Sequence, residues 1–210
     1  MKTPLFNRTF VSWSALTLLS PLASFLTAAP ADDPRTVVMN ATNEVLAIAD
    51  EPESLKPDQT RETRLRGVLN NYFDFDLITR RAIGPGWRQF SSAEQERAVE
   101  LFRDLLLRTY ANRLSHRDRP KIGFGVPIRI SEDRNEVPTT VAYAGKSYAV
   151  AYRLERRPNG WRIYDFVVEG ISFIGNYRAQ FDALFQSKGA AGVLQILETK
   201  QVNTSTTTLP

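Results

Sequence analysis

The sequence predicts an α+β fold. Helices come first, a curved antiparallel sheet of about four strands follows, and helices close the chain. Three observations predict it. Apolar residues recur at helical spacing as far as Leu114. They then alternate in strand fashion from Lys121 to Glu169, broken by short polar connections. From Ser172 the helical period returns.

Each element has a local reason. Asp33-Pro34 reads as an N-cap with proline at the first helical position. Val37, Val38, Ala41, Val45 and Ile48 repeat along the helix that follows, and the proline-containing run from Glu51 to Asp58 breaks it. Thr60 to Tyr72 is a second helix, with Leu65, Val68, Leu69 and Tyr72 on its stripe. Asp74 or Asp76 can cap a short third helix that ends at Gly84. Ser91 and Glu94 form a capping-box pair. They open a long helix striped with Ala98, Leu101, Phe102, Leu105, Leu106, Thr109, Tyr110 and Leu114. That stripe is wide for a helix lying on one flat sheet, and its width suits a helix facing both a sheet and a ligand.

The first strand is read from Ile122, Phe124, Val126, Ile128 and Ile130. The others are expected near Val137–Ala144, Ser147–Glu155 and Trp161–Glu169. The connections Gly145-Lys146 and Pro158-Asn159-Gly160 are short enough to make an antiparallel meander. The last strand carries Trp161, Ile163, Tyr164, Phe166, Val167 and Val168, with large apolar groups on both faces. Such a sheet builds more than one buried layer, one a core and the other open to a ligand. Helices are expected at about Ser172–Ser187 and Ala190–Lys200, with Gly189 as a C-cap between them, and threonine-rich residues 201–210 as a disordered tail.

The N-terminus reads as a secretory signal, with Lys2 and Arg8 ahead of an apolar run from Phe10 to Leu26. The run is short for a membrane span and contains Pro21, which favours a cleaved signal over an uncleaved anchor. Ala29-Pro30-Ala31 places cleavage after Ala31, and residues 32–200 are then enough for one domain with its own core. Removing the signal takes two cations from a formal charge of +4, and the remaining basic residues are scattered, so nucleic acid is not an expected partner. The absence of cysteine excludes disulfides, thiolate metal sites and a cysteine nucleophile. The single histidine, His116, stands in a charged stretch with no second histidine at ligand spacing, which points to a loop histidine and to no metal site.

Two long motifs carry a family resemblance. The first is Trp161, Arg162, Tyr164, Asp165, Glu169, Gly170, Ser172, Asn176, Tyr177, Arg178, Gln180 and Phe181. The second runs from Phe73 through Asp76, Arg81, Gly84, Trp87 and Arg88 to Ser91, Glu94, Gln95 and the helix from Phe102 to Tyr110. Together they resemble the MlaC/toluene-tolerance family of periplasmic phospholipid carriers, over roughly the whole chain after the signal. One departure is Pro85-Gly86 before Trp87. The resemblance implies an NTF2-like cone with helices folded over the concave side of the sheet and an internal apolar cavity. It implies a monomeric periplasmic carrier, not an enzyme, that moves phospholipid between an outer-membrane lipoprotein complex and an inner-membrane ABC transporter with an MCE-type subunit. Such a protein serves outer-membrane lipid asymmetry. A hopanoid-associated relative is the variant reading, and no metal, nucleotide or other cofactor is needed.

A lipid carrier needs a dry slot lined by side chains that demand no hydrogen bonds. The expected lipid-binding residues are Ile83, Phe102, Leu106 and Tyr110 from the helices before the sheet. From the strands they are Val141, Tyr143, Tyr148, Val150, Tyr152, Tyr164, Phe166 and Val168, and from the following helix Tyr177 and Phe181. For each of these a plain core position is the competing reading, because sequence alone does not fix which strand parity faces the slot. Arg80, Arg81 and Arg88 are the expected basic docking residues beside the mouth. The alternative from another class is an isomerase or hydrolase on the same cone, using Asp165 or Asp76 as base. Asp165, Glu169 and Arg178 read better as an ion pair or cap at the strand-to-helix corner, since no nucleophile, histidine or second acid stands beside them. Ser172 likewise reads as a helix cap, because its surroundings lack the second glycine of a nucleophile elbow.

Overall fold

The computed structural model of the chain describes residues 33–50, 60–111 and 119–202, without the side chains of residues 110–111 and 200–202. Four helices lead: α1 (Pro34–Asp50), α2 (Arg61–Tyr72), α3 (Phe75–Ile83) and α4 (Ser92–Ala111). A 3-10 turn at Gly84–Gln89 separates the last two. Strands β1 (Lys121–Phe124), β2 (Ile128–Arg129), β3 (Arg134–Tyr143), β4 (Lys146–Arg157), β5 (Gly160–Val168) and β6 (Ile171–Ser172) follow, and α5 (Phe173–Val202) ends the described chain. This is the expected α+β layout, with an open, curved antiparallel sheet. The expected signal and its cleavage site, the breaker at residues 51–58, His116 and residues 203–210 lie outside the described residues.

The helices start where capping chemistry places them. The Asp33 carboxylate accepts from the Thr36 hydroxyl at 2.7 Å and from the Thr36 and Arg35 amides at 3.1 and 3.2 Å. Thr60 accepts from the Thr63 amide, and Ser91 and Glu94 close the capping box in both directions. Asp74, not Asp76, caps α3 through the Leu77 amide at 2.8 Å. Gly84 ends α3 with φ 69° and ψ −136°, and a Cβ there would lie 2.0 Å from the Arg178 guanidinium carbon. That close approach lets Arg178 donate to the Arg81 carbonyl at 3.2 Å while it pairs with Asp182, fixing α5 to the end of α3. The Pro85-Gly86 departure is absorbed as the 3-10 turn, with Phe185 packed over Gly86.

Among the described residues the sheet has six strands, where about four were expected. The expected first strand is split, because Gly125 turns its amide to the Pro138 carbonyl at 2.8 Å and Pro127 has no amide to pair. β1 and β2 therefore both pair with β3, on either side of the interruption. The extra strand β6 returns on β5 through Glu169 and Gly170, both at positive φ (48° and 81°). A two-residue turn of the same kind, Ala144-Gly145, joins β3 to β4. The two expected C-terminal helices are joined as α5, with Gly189 at φ 63° and ψ −173° as the kink between them. α5 also runs two residues into the segment expected as tail.

Three buried clusters hold these layers. The largest joins α3, α4 and α5, with Phe102 edge-on to Tyr177 and Phe181 at ring distances of 5.0 and 5.4 Å. A second places Val37, Val38 and Ala41 of α1 on Val137, Leu154, Trp161 and Ile163 of the sheet. A third joins Ile48, Leu65 and Leu107 across α1, α2 and α4. A polar clamp ties α3 to the sheet. Glu155 accepts from Arg81 at 2.5 Å and from Arg157 at 3.2 Å, and Arg157 also holds Asp74 at 2.6 Å.

Candidate functional site

The strand register decides which face of the sheet is which. Val141 stands opposite Tyr148, Thr139 opposite Val150 and Val137 opposite Tyr152. Tyr152 in turn faces Phe166, and Val150 faces Val168. Side chains alternate along a strand, so these residues share one face. Between Arg153 and Leu154 the register slips, which leaves Tyr164 as the extra residue of a bulge. Bulges re-aim side chains, and here both Tyr164 and its neighbour Asp165 reach the same wall.

Between that face and the helices lies a cavity of about 370 Å³, within the usual range for ligand pockets of about 300–1,000 Å³. α1 contributes Ala41, Thr42, Val45 and Leu46 to its wall. Leu65, Leu69 and Phe73 come from α2 and its end, Phe75 and Ile78 from α3, and Leu106 and Leu107 from α4. Pro120, Ile122, Val141, Tyr152, Tyr164, Phe166 and Phe173 complete the apolar lining. The space exists because α1, α2 and α4 pack on one another and touch the sheet mainly near the start of α1.

The polar groups on the wall are few, and two of them are committed. The Thr42 hydroxyl donates back to the Val38 carbonyl at 2.8 Å. Asp165, 4% exposed, accepts from the Ile174 amide at 3.0 Å, the Ser172 hydroxyl at 2.6 Å and Arg153 at 3.2 Å. Ser172 accepts in turn from the Gly175 amide at 3.0 Å, so it caps α5. Arg153 reaches back to Glu136 at 3.0 Å, and that hydrogen bond, with the Asp165 charge behind it, raises the pKa of the guanidinium against the pull of burial. Glu169 accepts from the Ala149 amide at 2.5 Å. This corner is a cap and ion-pair chain in which Arg153 is the cation; Arg178, expected beside Asp165 and Glu169, pairs with Asp182 instead.

Of the expected lipid-binding residues, Leu106, Val141, Tyr152, Tyr164 and Phe166 stand on this wall. Tyr148, Val150 and Val168 are half-buried further along the same sheet face, and Tyr143, on the same parity, is 41% exposed beside the hairpin. Ile83, Phe102, Tyr177 and Phe181 are buried in the α3–α4–α5 cluster behind the wall. The Tyr110 side chain lies outside the described residues. Arg80 and Arg88 are exposed, whereas Arg81 is held by Glu155 and stacks over the Tyr164 ring at 3.9 Å. Sequence reasoning missed the wall of α1 and α2. Leu46 and Thr42 sit beside the α1 stripe, so a stripe wider than one helix contact needs was the available signal.

A curved sheet and helices around an apolar slot define an α+β domain with a cavity between its layers. Residues 39–199 match the MlaC protein family, and the chain belongs to it. The chain is similar to the solved phospholipid-binding protein of Ralstonia solanacearum, which holds a phospholipid. The two are 26% identical with a TM-score of 0.67, over 83% of this chain and 99% of that one. No curated protein matches the sequence.

Proposed function

We propose that the chain is a periplasmic lipid carrier that holds phospholipid acyl chains in the cavity between its sheet and helices. The observation that carries this reading is the apolar lining of the cavity, whose buried carboxylate already accepts from three protein donors. Each acyl CH₂ removed from water contributes about 0.8 kcal/mol, so a chain of about sixteen carbons represents roughly 12 kcal/mol. Family membership and the phospholipid-bound relative support the same ligand class. A base needs free lone pairs aimed at a substrate, and the bonds already made to Asp165 favour the carrier over an enzyme. Mass spectrometry of lipid extracted from protein purified out of the periplasm is the direct test. A co-purifying diacyl phospholipid supports the reading, a polycyclic lipid redirects it to hopanoids, and an empty protein that takes up neither removes it.

Export, cleavage after Ala31 and a single domain over residues 32–200 belong to this reading. N-terminal sequencing of periplasmic protein is expected to begin at Asp32, and an intact Met1 there counts against it. The carrier would exchange lipid with an outer-membrane lipoprotein complex and with the MCE-type subunit of an inner-membrane ABC transporter, acting as a monomer. Arg80 and Arg88, both exposed, are the cations for that docking. Reversing both to glutamate is expected to weaken capture by the transporter subunit while stability changes by less than about 0.5 kcal/mol, as is usual for surface sites. Arg81→Glu is the contrast, because it sets a like charge against Glu155 and lowers the unfolding midpoint. Unchanged capture by the Arg80/Arg88 variant at physiological salt rejects this surface.

A further inference from the structure

Tyr152 lies in the middle of β4, between Val137 and Phe166, with its ring on the cavity wall and against the α1–sheet cluster. Its hydroxyl makes no hydrogen bond within the described residues, and burial alone pushes the phenol up to about 12. Tyr72 makes the contrast: its phenol is also raised to about 12, first by burial, but its hydroxyl donates to Glu44. Among the described residues no other polar group on the wall pairs with Tyr152. Thr42 donates to its own helix, and the Asp165 oxygens already accept from Ile174, Ser172 and Arg153. The hydroxyl keeps some accessible surface on a half-buried residue of an apolar wall, so a ligand in the cavity is left to satisfy it.

We infer that Tyr152 donates a hydrogen bond to an acyl ester carbonyl of the bound lipid, so that the cavity reads the ester linkage as well as the hydrocarbon. The inference rests on the carrier reading and deepens it. The partner must be an acceptor, because a phenol facing apolar walls is satisfied by donating its proton. It must be neutral, because an ionised phosphate drawn into this cavity would leave water to stand near Asp165, the charged member of the lining. In a lipid whose tails fill the slot, the neutral acceptor joined to those tails is the ester carbonyl.

The test compares a diacyl phosphatidylcholine with its dialkyl-ether analogue, which has the same chains and headgroup but no carbonyl. Wild-type protein is expected to bind the diester roughly 2- to 10-fold more tightly, the effect of one net hydrogen bond. Tyr152→Phe keeps the ring and removes only the hydroxyl. It is expected to fold like wild type and to bind the two lipids equally, through loss of affinity for the diester. A diester preference that survives in Tyr152→Phe overturns the inference. So does a wild-type protein that binds both lipids equally, and that result leaves the carrier reading standing. Failure of wild type to bind either lipid removes the carrier reading itself.

Discussion

Phe166→Asn is expected to purify folded and lipid-poor. Phe166 stands on the cavity wall, half-buried, with its ring stacked on Phe173 at 4.4 Å. An asparagine there sets an amide against the acyl chain with nothing to bond. An unpaired polar group in an apolar site costs about 1–3 kcal/mol, which corresponds to roughly a 5- to 150-fold loss of lipid affinity. The lost ring contact contributes about 0.5–1.5 kcal/mol to stability, so the unfolding midpoint falls modestly as well. Phe102→Ala is the matched core substitution. Phe102 is fully buried between Tyr177 and Phe181. Its truncation is expected to remove about 3–5 kcal/mol of stability while the protein that stays folded remains loaded. Lipid per protein by extraction and mass spectrometry, alongside thermal unfolding, reads both effects. A Phe166→Asn protein that keeps its full complement of lipid would put the ligand somewhere other than this cavity.

That pair of residues also marks how far the sequence could be read. Phe102 and Phe166 have the same chemistry and stand in equally apolar patterns. Which one faces a neighbour and which faces a void is set by the spacing of helices three elements apart, and no local pattern carries that information. Helix starts were legible where capping is local, because Asp33 and the Ser91–Glu94 pair satisfy amides within three residues, whereas Thr60, read as the first helical residue, is the N-cap of α2. The choice between Asp74 and Asp76 was not, since both precede good helix formers and only backbone geometry selects the first. Strand existence followed from alternation, but the face did not, because a period of two looks the same from either side. The tight Ala144-Gly145 turn fixes the β3–β4 register and so puts Val141, Tyr148, Val150 and Tyr152 together. The bulge at Tyr164 then breaks the parity that alternation alone would assign to β5. Arg81 shows the same limit for charge: it reads as a surface cation, yet Glu155 and the Tyr164 ring hold it inside the structure.

Asp165→Asn is expected to keep lipid and lose stability. The carboxylate is the start of α5 as much as a residue of β5. One oxygen caps the Ile174 amide, and the other gathers the Ser172 hydroxyl and the Arg153 guanidinium. An asparagine has one acceptor oxygen. Kept on Ile174, it turns its NH₂ toward Arg153, a group that can only donate, and toward Ser172, whose hydroxyl proton loses its acceptor. Leaving such buried groups mismatched costs about 1–3 kcal/mol. At roughly 2–4 °C per kcal/mol for a chain of this size, the melting temperature is expected to fall by about 2–12 °C. The damage should begin at the first turn of α5 and reach Tyr177 and Phe181, which that turn orients into the core, so amide exchange should rise there first. The cavity wall itself keeps its hydrocarbon, so the folded fraction should still carry lipid. An unchanged melting temperature would show that the cap is dispensable. A folded, loaded Asp165→Asn protein that had lost a measurable lipid turnover present in wild type would make Asp165 a catalytic base and replace the carrier with an enzyme.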